Sequence, residues 1–332
     1  MTMVAAELVQ LWRGGLLEST HRGHVVICDE AGQIVQSWGD PERVIFPRSS
    51  CKMIQALPLL ESGAADAAGL SDAHIALSCA SHQGAHLHVD MAGRWLADLG
   101  LGEADLRCGS HEPYDRTERD RLIRTNDAPC QLHNNCSGKH SGFLTANKHL
   151  KGGSEYTEID HPLQRAIRAA TEEVTGESVA GYGIDGCSAP NFAMSVAGLA
   201  RAMGAFAAAR EGGNSRQRAM ARLRDAMAAH PDLVAGEGRA CTELMRAMGG
   251  KVSIKTGAEA VFVAMLPEQK LGIALKIEDG NGRASEAVLV SLLAKLGALD
   301  AAHPMAQKRL PAPQINCRGF SVGELRLAEG FC

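Results

Sequence analysis

Near the start of the chain two strand-like runs flank a polar turn. Val25-Val26-Ile27-Cys28 and Ile34-Val35-Gln36-Ser37-Trp38 flank Asp29-Glu30-Ala31-Gly32, which predicts a β-hairpin with suitable turn residues. An extended stretch, residues 43–46, leads into an apolar helical run at 53–60 that fades at Gly63. His74-Ile75-Ala76-Leu77-Ser78 predicts a short strand, and residues 89–99 carry a helical period. Residues 106–130 are polar and turn-rich with no clear period. Residues 134–142 predict a loop entering a helix. Asp160-His161-Pro162 predicts a helix start, with Leu163, Ile167 and Val174 on one face and Gly176 as the stop. Residues 183–190 read as a tight loop, and alanine- and methionine-rich helices are expected over 191–230. Gly236-Glu237-Gly238-Arg239 opens another helix, to about Met248. Strands return at 259–265 and 271–277, followed by a helix over 284–296.

The order is strands, a helical middle, then strands again. It predicts an α/β protein with one sheet made from both chain ends and a mostly helical insert. Residues 1–62 and 250–332 would form the sheet part, and 63–249 the insert, with a single compact domain as the alternative. A chain of 332 residues has room for about two domains. With 45% hydrophobic and 22% charged residues, the composition is that of an ordinary globular protein. A net charge of −4 and 4% aromatic residues give no reason to expect nucleic acid as a partner. No window approaches roughly 18 uncharged apolar residues, so no membrane span is expected. Residues 1–11 lack a signal peptide's basic start and apolar core. The ten cysteines have no repeating spacing. In a cytoplasmic protein, the expected location, they are buried small residues, metal ligands or reactive thiols rather than a disulfide framework.

Candidate chemistry begins at Pro47-Arg48-Ser49-Ser50-Cys51-Lys52. Ser49 and Lys52 are spaced i, i+3, which places a hydroxyl and an amine on one face of a first helical turn. A neutral lysine there can deprotonate the serine. The competing reading is a helix cap followed by a solvated lysine. Some 200 residues later stands Lys255-Thr256-Gly257. Ser-x-x-Lys with a distant Lys-Thr-Gly is the pairing of serine β-lactamases and penicillin-binding proteins. The third motif of that set, Ser-Asp-Asn, is absent, and Ser81-His82 stands in its place. Lys52 needs its pKa brought from about 10.4 to near 7, a cost of about 4 kcal/mol, to act as a base. Burial and a second cation such as Lys255 would supply that.

A second constellation is Cys136-x-x-Lys139-His140 with Asp185-Gly186-Cys187, both in glycine-bearing polar stretches. Two thiolates favour zinc if a nitrogen and a fourth group complete the tetrahedron. By spacing His140 is the usual nitrogen, with Lys139 the other one near, and two unconnected buried cysteines are the competing reading. Arg48 and Asp185 suit the carboxylate and ammonium of a free amino acid, or serve as ordinary surface charges. His21, His24, His82, His86, His88 and His111 are too scattered for a motif and read as structural. Glu237 and Asp279 read as turn or capping residues.

Arg13-Gly14-Gly15, Arg48-Ser49-x-x-Lys52, Cys79-Ala80-Ser81-His82, residues 105–109, Asn135-Cys136-Ser137-Gly138-Lys139-His140, Asp185-Gly186-Cys187, residues 234–239 and 276–281 follow one another in a familiar order. The chain resembles the rhizobial-type (class 3) L-asparaginases, among them the Rhizobium etli enzymes, from about Arg13 to the last helix. The resemblance implies a fold of the β-lactamase, penicillin-binding protein and serine glutaminase class. It implies a homodimer that hydrolyses L-asparagine to L-aspartate and ammonia. It further implies two serine–lysine tandems, Ser49 with Lys52 and Ser81 with Lys255. Beside them a zinc ion (Zn2+) would be held by Cys136, Cys187 and, in place of His140, Lys139. His140 then becomes a substrate contact or a support for the metal site, and Arg48 and Asp185 remain substrate-binding candidates. Ser50 and Cys51 fill the interior of the first tandem, where the family has smaller residues. The tail beyond about Ala302 matches poorly and receives no role. Two alternatives are a serine-type glutaminase, one methylene away in substrate, and a zinc-stabilised amino-acid-binding protein without turnover.

Overall fold

A computed structural model describes residues 4–332. The chain divides into two compact units. The first comprises the chain up to Ser50, Met194–Ala208 and Glu243–Cys332, and the second Cys51–Ala193 and Ala209–Thr242.

The first unit is built on an antiparallel sheet. Its strands run, edge to edge, Gln314–Ile315, Ser321–Leu327, Ala6–Arg13, Leu16–Cys28, Leu271–Ile277, Val261–Leu266 and Ser253–Thr256, with Ile34–Trp38 also paired to Leu16–Cys28. Both chain ends therefore contribute to one sheet, as the strand–helix–strand order predicts. The hairpin lies where the two runs and their turn placed it, with Val25 opposite Trp38 and Cys28 opposite Ile34. Several strands were not expected, among them the first and the last long ones. Ala6–Arg13 is a strand with Leu8, Val9 and Leu11 buried, although Glu7 and Gln10 blur its period. Ser321–Leu327 pairs with it, Val9 opposite Leu327, so the tail has a structural role after all.

Lys255-Thr256 also ends a strand of its own, Ser253–Thr256, antiparallel to Val261–Leu266. The helix Val196–Ala208 packs against Leu271–Ile277, where glycines permit the approach. A Cβ on Gly272 would stand 2.0 Å from the Gly204 nitrogen, and one on Gly204 would stand 2.5 Å from the Asp29 carbonyl oxygen. Asn281 caps Gly282–Lys295 by accepting from the Arg283 N–H, and Asp279 accepts from the Asn281 N–H. The turn-and-cap reading of Asp279 is correct.

The second unit is mainly helical. Residues 74–78, expected as a strand, lie in the helix Asp72–Ser78. A five-residue apolar run does not distinguish the two periods. Ser71 and the His74 imidazole bond across the helix start at 2.8 Å and favour the helix. This helix packs closely on Ser137–Leu150. A Cβ on Gly138 would come within 2.4 Å of the Leu77 carbonyl oxygen, and one on Gly142 within 3.2 Å of the Ser78 Cβ.

Arg116–Thr125 is a helix in the stretch that showed no period. Only Glu118 and Leu122 are buried on it, too few to mark a stripe, and Asp115 caps it by accepting from the Glu118 N–H. Pro162–Thr175 starts and stops as expected, capped by His161 and ended by Gly176 at φ 68°. Gly181–Ile184 and Pro190–Ser195 form a hairpin, with Ile184 opposite Pro190, around the expected tight loop. Residues 191–195 are thus strand rather than helix. Among the described residues, no helix is long and apolar enough to cross a membrane.

Candidate active site

In the sheet unit, Pro47 ends the approach and Arg48–Cys51 form a 3-10 turn. Arg48 adopts φ 53°, a left-handed conformation that costs a non-glycine residue energy and is concentrated at functional sites. The Pro47 carbonyl accepts from the Ser50 N–H at 3.2 Å and from the Ser50 hydroxyl at 2.7 Å. Ser49, between these residues, is partly exposed. Lys-Thr-Gly arrives beside this turn, and Gly257 is what admits it. A Cβ there would stand 2.6 Å from the Pro47 carbonyl oxygen and 3.1 Å from the Ser50 nitrogen. Lys255 is buried, and its ammonium donates to the Thr256 carbonyl at 2.8 Å. Two segments some 200 residues apart are therefore neighbours in one unit.

In the helical unit the central group is Lys52, at the start of Lys52–Gln55. It is 1% exposed. Its Nζ donates to the Ala80 carbonyl, and lies 3.1 Å from Ser81 Oγ and 3.1 Å from Cys136 Sγ. The hydroxyl on Lys52 in this unit is thus Ser81, an association the spacing did not suggest. Ser81 is held by its own N–H, which donates to the Val234 carbonyl at 2.9 Å, and His82 N–H donates to the Asn135 carbonyl at 3.2 Å. Gly236, at φ 107°, lies against the Gln83 side chain, with no room for a Cβ. The motif at 234–239 thereby acquires a purpose, which is to brace the Ser81 segment.

The thiol constellation also forms. The helix begins at Ser137, inside the expected loop, so Cys136 is its N-cap residue and Lys139 and His140 lie in its first turn. Cys187 sits in the hairpin turn, and both cysteines are buried. Lys139 Nζ lies 3.0 Å from Cys187 Sγ. A hydrogen bond from Cys136 holds the Cys187 thiol well below its usual pKa, against its burial, with the Lys139 ammonium assisting. The same bond, with burial, pushes Cys136 well up. Burial pulls Lys139 down, but the two sulfurs outweigh it and raise its pKa. The sulfurs are thus pulled in opposite directions, Cys187 toward the thiolate and Cys136 toward the thiol.

Two sulfurs and an amine converging in a buried place suit zinc. Among the described residues, no three His, Cys, Asp or Glu side chains gather into a metal site, so a metal here depends on the lysine.

His140 turns toward the protein. Its Nδ1 bonds the Tyr156 hydroxyl at 2.8 Å, and its buried Nε2 has no hydrogen-bond partner among the described residues. Burial lowers its pKa, and the Cys187 sulfur opposes. Asp185 is half-buried in the turn before Cys187, its N–H donating to the Ala189 carbonyl at 2.9 Å and its carboxylate accepting from the Gly186 N–H at 2.8 Å. Tyr156 was missed, since a lone tyrosine among polar residues carries no signal.

The L-asparaginase II family model matches residues 9–327. The match runs past Ala302, so the tail excluded by the motif resemblance lies within the family's extent. None of the curated proteins matches the chain. Three solved structures illustrate the structural likeness. A β-lactamase from Mycobacterium bovis is 13% identical at a TM-score of 0.46, over 82% of this chain and 94% of its own. The protein Mglu in its Tris and glutamate form is 13% identical at a TM-score of 0.48, over 90% of this chain and 63% of its own. The D-alanine carboxypeptidase AmpC from Burkholderia cenocepacia is 13% identical at 0.40, over 83% of this chain and 93% of its own.

Proposed function

The chain belongs to the L-asparaginase II family and is an amidohydrolase acting on asparagine, and on that premise we propose that it hydrolyses L-asparagine through a serine acyl-enzyme beside a zinc site. The observation that carries the reading is the buried Lys52 amine, 3.1 Å from the Ser81 hydroxyl and 3.1 Å from the Cys136 sulfur, a candidate metal donor. It joins serine chemistry and the sulfur cluster in one place. The resemblance to rhizobial-type enzymes supplies the finer roles.

Ser49, one helical turn before Lys52 along the chain, attacks the side-chain amide carbon of asparagine while the neutral Lys52 takes its proton. The C–N bond breaks, the amide nitrogen leaves as ammonia with a proton returned from the lysine, and an aspartyl ester remains on Ser49. Water, deprotonated by the same amine, then cleaves the ester to release aspartate. Ser81 passes protons to and from Lys52 and holds it in place, and Lys255 serves as the second cation and relay. Arg48 takes the α-carboxylate and Asp185 the α-ammonium.

Cys136, Lys139 and Cys187 would hold the zinc, whose binding releases the protons that Cys136 and Lys139 otherwise carry. Zinc between two thiolates is a weak Lewis acid that organises the pocket rather than activating water. His140 is fixed by Tyr156 at the edge of this set. The working enzyme is a homodimer.

The test is ammonia release by the purified protein from asparagine and glutamine side by side. Preference for asparagine supports the reading. Preference for glutamine makes the chain a glutaminase, and no release from either overturns turnover altogether.

A further inference from the structure

The residue after Ser81 is a fully buried histidine. His82 is 0% exposed and its ring stacks on that of His88, with centroids 4.7 Å apart and planes 10° from parallel. Its hydrogen bonds define its protonation. The Gly84 N–H donates to Nδ1 at 3.1 Å, so the ring proton is on Nε2. That N–H donates to Ser137 Oγ at 2.9 Å, and the Ser137 hydroxyl donates onward to the Leu132 carbonyl at 3.0 Å. Ser137 stands between Cys136 and Lys139 and is the first residue of their helix.

We propose that His82 is a positioning residue, a neutral strut that sets the Ser81–Lys52 pair against the turn carrying Cys136 and Lys139. The scattered histidines gave no motif, and this one has a definite mechanical task. Among the bonds that fix the Ser81-His82 segment are Ser81 N–H to Val234, His82 N–H to Asn135, and the ring to Ser137. The last runs from the His82 ring directly to the helix that bears the amine donor. Burial and the neighbouring His88 hold the imidazole well below its usual pKa, which keeps the Nδ1 lone pair available to Gly84.

This inference rests on the reading that Ser81 and Lys52 take part in the reaction. The experiment compares kcat, KM and melting temperature for the wild type, Ser81→Ala, His82→Ala, His82→Gln, Ser137→Ala and the double variant His82→Ala/Ser137→Ala. Misplacing a reacting group by about 1 Å costs about a hundredfold in rate. His82→Ala and Ser137→Ala should each lower kcat about tenfold to a hundredfold, with KM changed by less than about threefold. The double variant should be no slower than the worse single one, since both remove one bond. His82→Gln, whose amide N–H can reach Ser137, should recover most of the rate.

A His82→Ala enzyme that loses melting temperature but keeps kcat overturns the inference. So do losses that add in the double variant. If His82→Ala does not fold, Ser137→Ala and His82→Gln decide alone. A fully active Ser81→Ala would instead sink the underlying role of Ser81, whatever His82 does.

Discussion

A lysine ammonium has three protons to place, and at Lys52 the Ala80 carbonyl, Ser81 and Cys136 all lie within hydrogen-bond reach of Nζ. An amine so placed can pass protons only if it is neutral part of the time. Lys52→Met should therefore lower kcat by about a thousandfold or more while the chain stays folded, as steady-state ammonia release will report. Lys52→Arg should fail equally, because a guanidinium does not give up its proton. For the same reason kcat/KM should rise with pH into the alkaline range. A bell centred near pH 6 would point to a histidine base and contradict the lysine. Removing Cys187 as a thiolate, by Cys187→Ser, should raise KM more than it lowers kcat, because that cysteine holds the pocket rather than the reacting atom. The serines, lysines and cysteines were legible in the sequence as candidates, by motif for the first tandem and by the family resemblance for Lys139 in place of His140. The Lys52–Ser81–Cys136 meeting was not, since it depends on where three distant segments come to lie. Tyr156 and the carbonyl of Val234 carry no mark of their own at all.

Elements hold these residues through a few close approaches. The helix Ser137–Leu150 comes against Asp72–Ser78 because Gly138 leaves room for the Leu77 carbonyl. Gly138→Ala should cost about 1–3 kcal/mol of stability and reduce bound zinc, both measurable on the purified variant. A second fastening is Glu118, whose buried carboxylate accepts from Arg121 at 2.7 Å and from His133 at 3.3 Å. The bond from Arg121 is the main cause of its lowered pKa. Its folded value lies below its unfolded one, so its stabilisation is present above about pH 4 and is lost as pH falls through the folded value. The melting temperature of Glu118→Gln should thus fall short of the wild type's at pH 7, with the gap closing toward pH 3. Elements with a long period or strong caps, such as Pro162–Thr175 and the hairpin at 25–38, were legible in the sequence. Asp72–Ser78 was too short to show its period, and Arg116–Thr125 buries too little to show one.

At the scale of the whole molecule, the sheet from both chain ends was legible in the order of strands, helices and strands. The last strand was hidden by its place beyond the motifs, yet it closes on the first. The account expects about one zinc per chain by metal analysis and a homodimer by sedimentation, and a protein free of zinc as purified would remove the metal from it. Its central claim is a covalent aspartyl ester on a serine. The most direct measurement is acid quenching during turnover of asparagine, followed by peptide mass mapping, run on the wild type, Ser49→Ala and Ser81→Ala. The account predicts an aspartyl group on the peptide containing Ser49, absent from Ser49→Ala, whose ammonia release falls by about a thousandfold or more. Rapid turnover with no ester on either serine, together with active Ser49→Ala and Ser81→Ala enzymes, would contradict it.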